Sequence, residues 1–209
     1  TPSSTRQVAD RVAAAVATAI TARGESVDVH VIELRELVND LGRALTTGMS
    51  STALDEAKER VSASDGLIAV TPVFKASYSG LFKTFFDVLD QDALNGMPTV
   101  IAATAGTARH SLVLDHALRP LLSYMRAVVV PTGVFAATED FGSEEGASVE
   151  TRVARAAGEL ADLMVASSGS VGGLGGVTAE GQAIRRRTGV DPAENLTPFS
   201  ELLKGHDGE

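Results

Sequence analysis

An open α/β fold, with a parallel sheet covered by helices on both faces, is the class this sequence predicts. Three observations carry the prediction. Apolar runs of strand length alternate with stretches whose apolar residues recur at helical spacing. The runs at 66–71, 99–104 and 127–130 are too continuously apolar for a strand with one wet face. Loops rich in hydroxyls, Pro and Gly follow or precede these units at 1–6, 71–78 and 104–110, where the carboxyl edge of such a sheet binds ligands.

Taken in order, Val8, Val12, Val16 and Ile20 predict an amphipathic helix with Ser3 to Thr5 as capping hydroxyls and Gly24 as its C-cap. A doubly wound domain places its first, central strand ahead of such a helix, so residues are expected upstream of Thr1. Val27 to Leu34 reads as the next strand, apolar at 27, 29, 31 and 32. Residues 35–50 read as a long, partly helical connection. Thr52 and Asp55 then cap a helix bearing Leu54, Ala57 and Val61. Gly66 to Thr71 is a buried strand, followed by a loop and a helix with apolar positions at 81, 82, 85, 86 and 89. Asn95-Gly96 marks a turn, and Thr99 to Thr104 another buried strand. A helix follows from Ser111, with Leu114, Leu118, Leu121, Leu122 and Met125 on one face.

Pro120 lies within that helix and cannot donate to the carbonyl of His116, so a kink or widened turn is expected there. Ala127 to Val130, extended by Gly133 to Ala136, is the fifth strand-like run, and Val149 to Met164 the last long helix. About five strands in this alternation favour the flavodoxin-like winding, a five-stranded parallel sheet, with the first strand apparently missing or truncated. Two regions are expected: a domain over 1–167 and a Gly-rich flexible arm over 168–209. The arm carries Arg185-Arg186-Arg187 and a short apolar turn at 197–203.

Bulk properties narrow the function. A net charge of −9 disfavours non-specific nucleic-acid binding. The absence of cysteine excludes disulfides, thiolate metal sites and thiol nucleophiles, and the four His at 30, 110, 116 and 206 show no metal-ligand spacing. There is no apolar run of ~18 residues and no basic-then-apolar leader, so a cytoplasmic location without membrane attachment is expected.

The three loops supply the candidate site. Ser3, Ser4, Thr5 and Arg6 stand at a helix N-terminus, where free N–H groups and the dipole favour a phosphate; the same residues also suit an ordinary N-cap. In the second loop, Pro72 stiffens a backbone that can be held against a planar ligand, beside Val73, Phe74, Lys75 and Ala76. Phe74 serves equally as core filling and Lys75 as a solvated charge. In the third, Thr104, Ala105, Gly106 and Thr107 are small enough for close backbone approach to a ring. Arg109 faces either an anionic partner or solvent, and His110 either a ligand or the start of the helix. No Ser–His–Asp order or paired carboxylate suggests acid–base catalysis, so a catalytic side chain is not assigned. Such a site suits chemistry carried by a cofactor that needs positioning.

At these residues the sequence resembles the NAD(P)H-dependent FMN reductases of the flavodoxin-like superfamily. The resemblance rests on Thr71 to Lys83 (TPVFKASYSGLFK), Ala103 to His110 (ATAGTARH) and Leu114 to Leu121 (LDHALRPL), and runs through most of residues 1–138. It is strongest to the reductase components of two-component monooxygenase systems, those of sulfonate utilisation and the luciferase-like ones. It implies that Ser3 to Arg6 hold the FMN phosphate, Pro72 to Ala76 the isoalloxazine, and Thr104 to Arg109 the flank of the ring. It also implies NADPH or NADH as the hydride source, and a flavin-dependent monooxygenase receiving FMNH2. A homodimer or homotetramer is implied too, with the widened helix around His116 at a subunit contact. A quinone or azo-dye reductase with tightly held FMN, a flavodoxin-type electron carrier, and a binding module with a docking arm remain as alternatives.

Overall fold

The computed structural model describes residues 3–137 and 145–168. Helix α1 (Ser4–Thr21) buries the stripe Val8, Val12, Val16 and Ile20, and the Ser3 hydroxyl caps it by accepting from the Arg6 N–H. Its C-cap is Ala22 rather than Gly24, which sits two residues on with φ +84°, a value glycine adopts freely.

The strand expected over 27–34 does not form. Residues 25–33 carry no regular structure, and a short 3-10 turn (Leu34–Leu37) leads into α2 (Val38–Thr47). The reason lies in pairing. In the expected order this run's ladder partner is the strand that precedes α1, and no described residue supplies one. Without it, Val29 and Val31 are 43% and 44% exposed despite their β-branched pattern.

Helix α3 (Thr52–Ala63) is capped by Ser51, not by Thr52: the Ser51 hydroxyl accepts from the Leu54 N–H. A hydrogen bond from Ser50, helped by Lys58, holds the Asp55 carboxyl below its ordinary pKa. Strand β1 (Leu67–Phe74) runs three residues past Thr71, turns back, and pairs antiparallel with β2 (Ser77–Tyr78). What read as a loop over 71–78 is therefore a hairpin.

Ser79 caps α4 (Gly80–Asp87), and a turn with Gly96 at φ +69° leads into β3 (Pro98–Ala105). After a 3-10 turn at Ala108–His110, a π-helical turn (Leu114–Leu118) precedes α5 (Arg119–Tyr124). The widening falls where Pro120 removes the donor to His116, as its position predicts. Strands β4 (Val128–Val129) and β5 (Val134–Ala137) both lie parallel to β3, and helix α6 (Glu145–Ser168) closes the described chain. The arm from 169 and its turn at 197–203 lie outside the described residues.

The sheet order is β2-β1-β3-β4, with β5 also on β3. The sheet has five strands, the number expected, but not all parallel: β1, β3, β4 and β5 run parallel, while the two-residue β2 pairs antiparallel with β1. β4 and β5 meet β3 at Pro98–Thr99 and at Ala102–Ala105, so they act as one strand interrupted around Pro131. Successive β3 side chains alternate between two cores. Val100 and Ala102 join α1 and α6; Ile101 and Ala103 join α2, α3, α4 and the π turn. Gly133 lets that turn close on the interruption, since a Cβ there would stand 3.0 Å from Leu114 Cδ1.

Candidate functional site

The parallel register places Pro72 of β1 beside Thr104 of β3, at the carboxyl edge of the sheet. The Thr5 and Thr104 hydroxyls are 2.8 Å apart and share a hydrogen bond, which fastens the start of α1 to the end of β3. Three segments far apart in sequence thus meet at one edge, through Thr5, Pro72 and Thr104.

In the first segment, the Arg6 N–H donates to Ser3 Oγ and the Gln7 N–H to the Ser3 carbonyl. By helix geometry the N–H groups of Ser4 and Thr5 have no intrahelical acceptor, so they and the exposed Ser4 hydroxyl suit an anion. Arg6 is differently placed from the simple expectation. Its Nε donates to Asp10 at 2.7 Å and its Nη1 to Glu33 at 2.7 Å, and those carboxylates, Glu33 foremost, raise its pKa further. Only part of the guanidinium is left to turn toward a ligand. The Arg6–Glu33 pair is one that sequence reasoning missed, because nothing in a spacing of 27 residues signals it.

The second segment is set by its turn. Lys75 and Ala76 sit at φ +50° and +65°, the two central positions of a two-residue hairpin turn between Phe74 and Ser77. This is the type I′ geometry that Asn-Gly usually fills, and each non-glycine residue there carries steric strain. The base is locked by Thr71, fully buried, whose hydroxyl accepts from the Ser79 N–H at 3.0 Å and donates to the Pro72 carbonyl at 2.9 Å. Thr71 is a second residue that the sequence reading left out of the site. Val73 is half-buried, while Phe74 is 61% exposed, so it is not core filling; Lys75 and Ala76 are exposed as well.

In the third segment Thr104 is buried and Ala105 half-buried, whereas Gly106, Thr107 and Arg109 are exposed. His110 is half-buried and belongs to the 3-10 turn ahead of the helix. Among the described residues no cluster of His, Cys, Asp or Glu has the form of a metal site, and no helix is long and apolar enough to cross a membrane. The edge therefore offers backbone N–H groups, hydroxyls, one exposed aromatic ring and two exposed cations, Lys75 and Arg109.

Comparison with known proteins gives these features a family. Residues 1–142 match the family described as NADPH-dependent FMN reductase. A 115-residue stretch is 42% identical to an FMN reductase (NADPH) of Pseudomonas aeruginosa, covering 55% of this chain and 62% of that one. A 139-residue stretch is 39% identical to the NADH-dependent FMN reductase SfnF of Pseudomonas fluorescens, covering 66% and 74%. An oxidoreductase of Corynebacterium diphtheriae known by its crystal structure is 68% identical, with a TM-score of 0.77 over 79% of this chain and 91% of that one.

Proposed function

We propose that this chain, which belongs to the NADPH-dependent FMN reductase family, moves a hydride from NADPH or NADH to FMN held at the carboxyl edge of the sheet. The observation that carries the reading is the convergence of the three loops through the Thr5–Thr104 hydrogen bond and the Pro72–Thr104 register. When bound, FMN supplies the redox chemistry: its ring takes the hydride and a proton, and the nicotinamide leaves oxidised.

The residues present fit that cofactor. The N–H groups of Ser4 and Thr5 and the hydroxyls of Ser3 and Ser4 would hold the phosphate, with Arg6 as a pinned positive charge alongside. The hairpin over Pro72 to Ala76 presents backbone N–H and C=O groups at fixed angles for a planar ring. The small residues Ala105, Gly106 and Thr107 leave room for the ring's other flank, with Arg109 and His110 at its margin. The chain's role in this reading is to orient the flavin and the nicotinamide and to limit water between them.

The names of the relatives extend the proposal. Reductases called SfnF act with NADH and the Pseudomonas aeruginosa relative with NADPH, so both nicotinamides belong in the test. We further propose that reduced flavin passes to a flavin-dependent monooxygenase and that the chain works as a homodimer or homotetramer. The exposed Leu112 and Tyr124, 65% and 80% accessible on either side of the π turn, support a contact there.

Steady-state oxidation of NADPH and NADH, each with FMN, FAD and riboflavin, tests the activity. FMN-dependent consumption of at least one nicotinamide is expected; no flavin-dependent oxidation of either overturns the reading.

A further inference from the structure

A cleft of about 650 Å³ lies along the outer edge of β5, apart from the three loops yet adjoining one of them. Its first wall begins at Ser111, the residue immediately after His110, and continues through Leu112 into the π turn. Its floor includes Thr132 and Phe135, and its far wall is the α6 face bearing Ser148, Arg152 and Arg155. Arg152 and Arg155 are three residues apart on one helix, so they project together, and both are exposed.

The charge arrangement of this wall differs from that of the same helix elsewhere. Arg11 reaches Glu150 and Arg23 reaches Asp162, so the α1–α6 seam neutralises its cations. Arg152 and Arg155 have no carboxylate within ion-pair distance among the described residues. The acidic groups nearby are engaged. Asp115, which lines the cleft, takes Arg119 Nε at 3.0 Å. Glu159 takes both the N–H and the hydroxyl of Thr132, at 2.8 and 2.7 Å. In a chain with a net charge of −9, two adjacent cations with no counter-ion among the described residues form a distinctive feature on a concave wall. Two planar guanidinium forks, with the hydroxyls of Ser111 and Ser148 on the same cleft, make a donor set suited to phosphate oxygens. Leu112, exposed at the rim, offers an apolar surface for a base.

We propose that this cleft receives the adenosine end of the nicotinamide cofactor, with Arg152 and Arg155 binding the 2′-phosphate that distinguishes NADPH from NADH. The inference rests on the hydride-transfer reading above. Continuity supports it: the cleft's lining begins at Ser111, directly after the 104–110 loop where the nicotinamide would lie in this reading. The 2′-phosphomonoester is the group on NADPH with the highest local charge, which is what an arginine pair with no carboxylate partner among the described residues favours.

The test compares the wild-type chain with Arg152→Ala/Arg155→Ala, and with Arg152→Gln/Arg155→Gln as a second variant that retains more of each side chain's bulk. Calorimetric titration with 2′,5′-ADP and with 5′-AMP reads the cleft without turnover. Flavin fluorescence quenching reads FMN affinity, and steady-state rates with NADPH and NADH read use of the site. Wild type is expected to prefer 2′,5′-ADP over 5′-AMP, and both variants to lose about tenfold or more of the 2′,5′-ADP affinity. Affinity for FMN should hold within about twofold, and kcat/KM for NADPH should fall about tenfold further than that for NADH. Unchanged 2′,5′-ADP affinity in the variants overturns the proposal, as does an equal loss for FMN, which would place the arginines at the flavin phosphate. If wild type oxidises neither nicotinamide yet binds 2′,5′-ADP through these arginines, the hydride-transfer reading fails while the phosphate site stands.

Discussion

Lys75 and Ala76 are two ordinary residues in a backbone conformation that glycine and asparagine prefer. The hairpin they close is over-determined from its base, where Thr71 ties the Ser79 N–H to the Pro72 carbonyl. Strain held by its surroundings, at the edge where the flavin is proposed to bind, reads as a positioning device. Replacing the pair as Lys75→Asn/Ala76→Gly should raise the unfolding free energy by about 1 kcal/mol, read by urea denaturation. An unchanged or lower midpoint would show that the turn stores no strain. At this scale the sequence was partly legible. Pro72 marked a stiffened stretch of β1 and Gly106 the end of β3, but the turn itself was hidden, because neither Lys nor Ala signals a positive φ. The pinning of Arg6 by Glu33 was hidden for a different reason: it depends on how residues 25–33 lie, and local patterns do not encode that.

Among the elements, the π turn and the β4–β5 interruption depend on each other. Arg119, the first residue of α5, donates from Nη1 to the Val130 carbonyl and from Nη2 to that of Pro131, each at 3.0 Å, while its Nε pairs with Asp115. One guanidinium thus satisfies the carbonyls that the broken strand cannot place in a ladder. Arg119→Met should cost about 1–3 kcal/mol by leaving those acceptors unpaired. Arg119→Lys should recover less than half of that, because an ammonium lacks the fork that serves both carbonyls and the carboxylate. Equal stability of all three proteins in thermal melts would contradict the account. The widened turn was foreseeable from Pro120, a rule of covalent structure. The strand at 27–34 was misread because alternation of apolar residues states only a capacity to pair, and pairing needs a neighbour. The α3 cap moved by one residue, from Thr52 to Ser51, since two consecutive hydroxyls satisfy the same pattern and only backbone geometry selects between them.

For the molecule as a whole, alternation of strand and helix was enough to place the carboxyl edge of the sheet, because the carboxyl ends of parallel strands must face one way. The three loops named from sequence are those that meet there. The β5-edge cleft was not legible, since its walls come from residues 111–115, 131–135 and 148–155, and of these only Leu114 and Asp115 belong to a motif, one that says nothing of the other two walls.

The complete burial of β3 from Pro98 to Thr104, between the two cores, has a consequence for how the protein breathes. No local opening exposes these amides without parting both helical layers, so their deuterium uptake should follow global unfolding and be the slowest in the described chain. Residues 25–33, without a ladder, should label among the first. Peptide-resolved exchange would read this as a clock with two hands, and adding FMN should slow the peptides over 3–6 and 71–78 while leaving the pace of β3 to the stability of the whole.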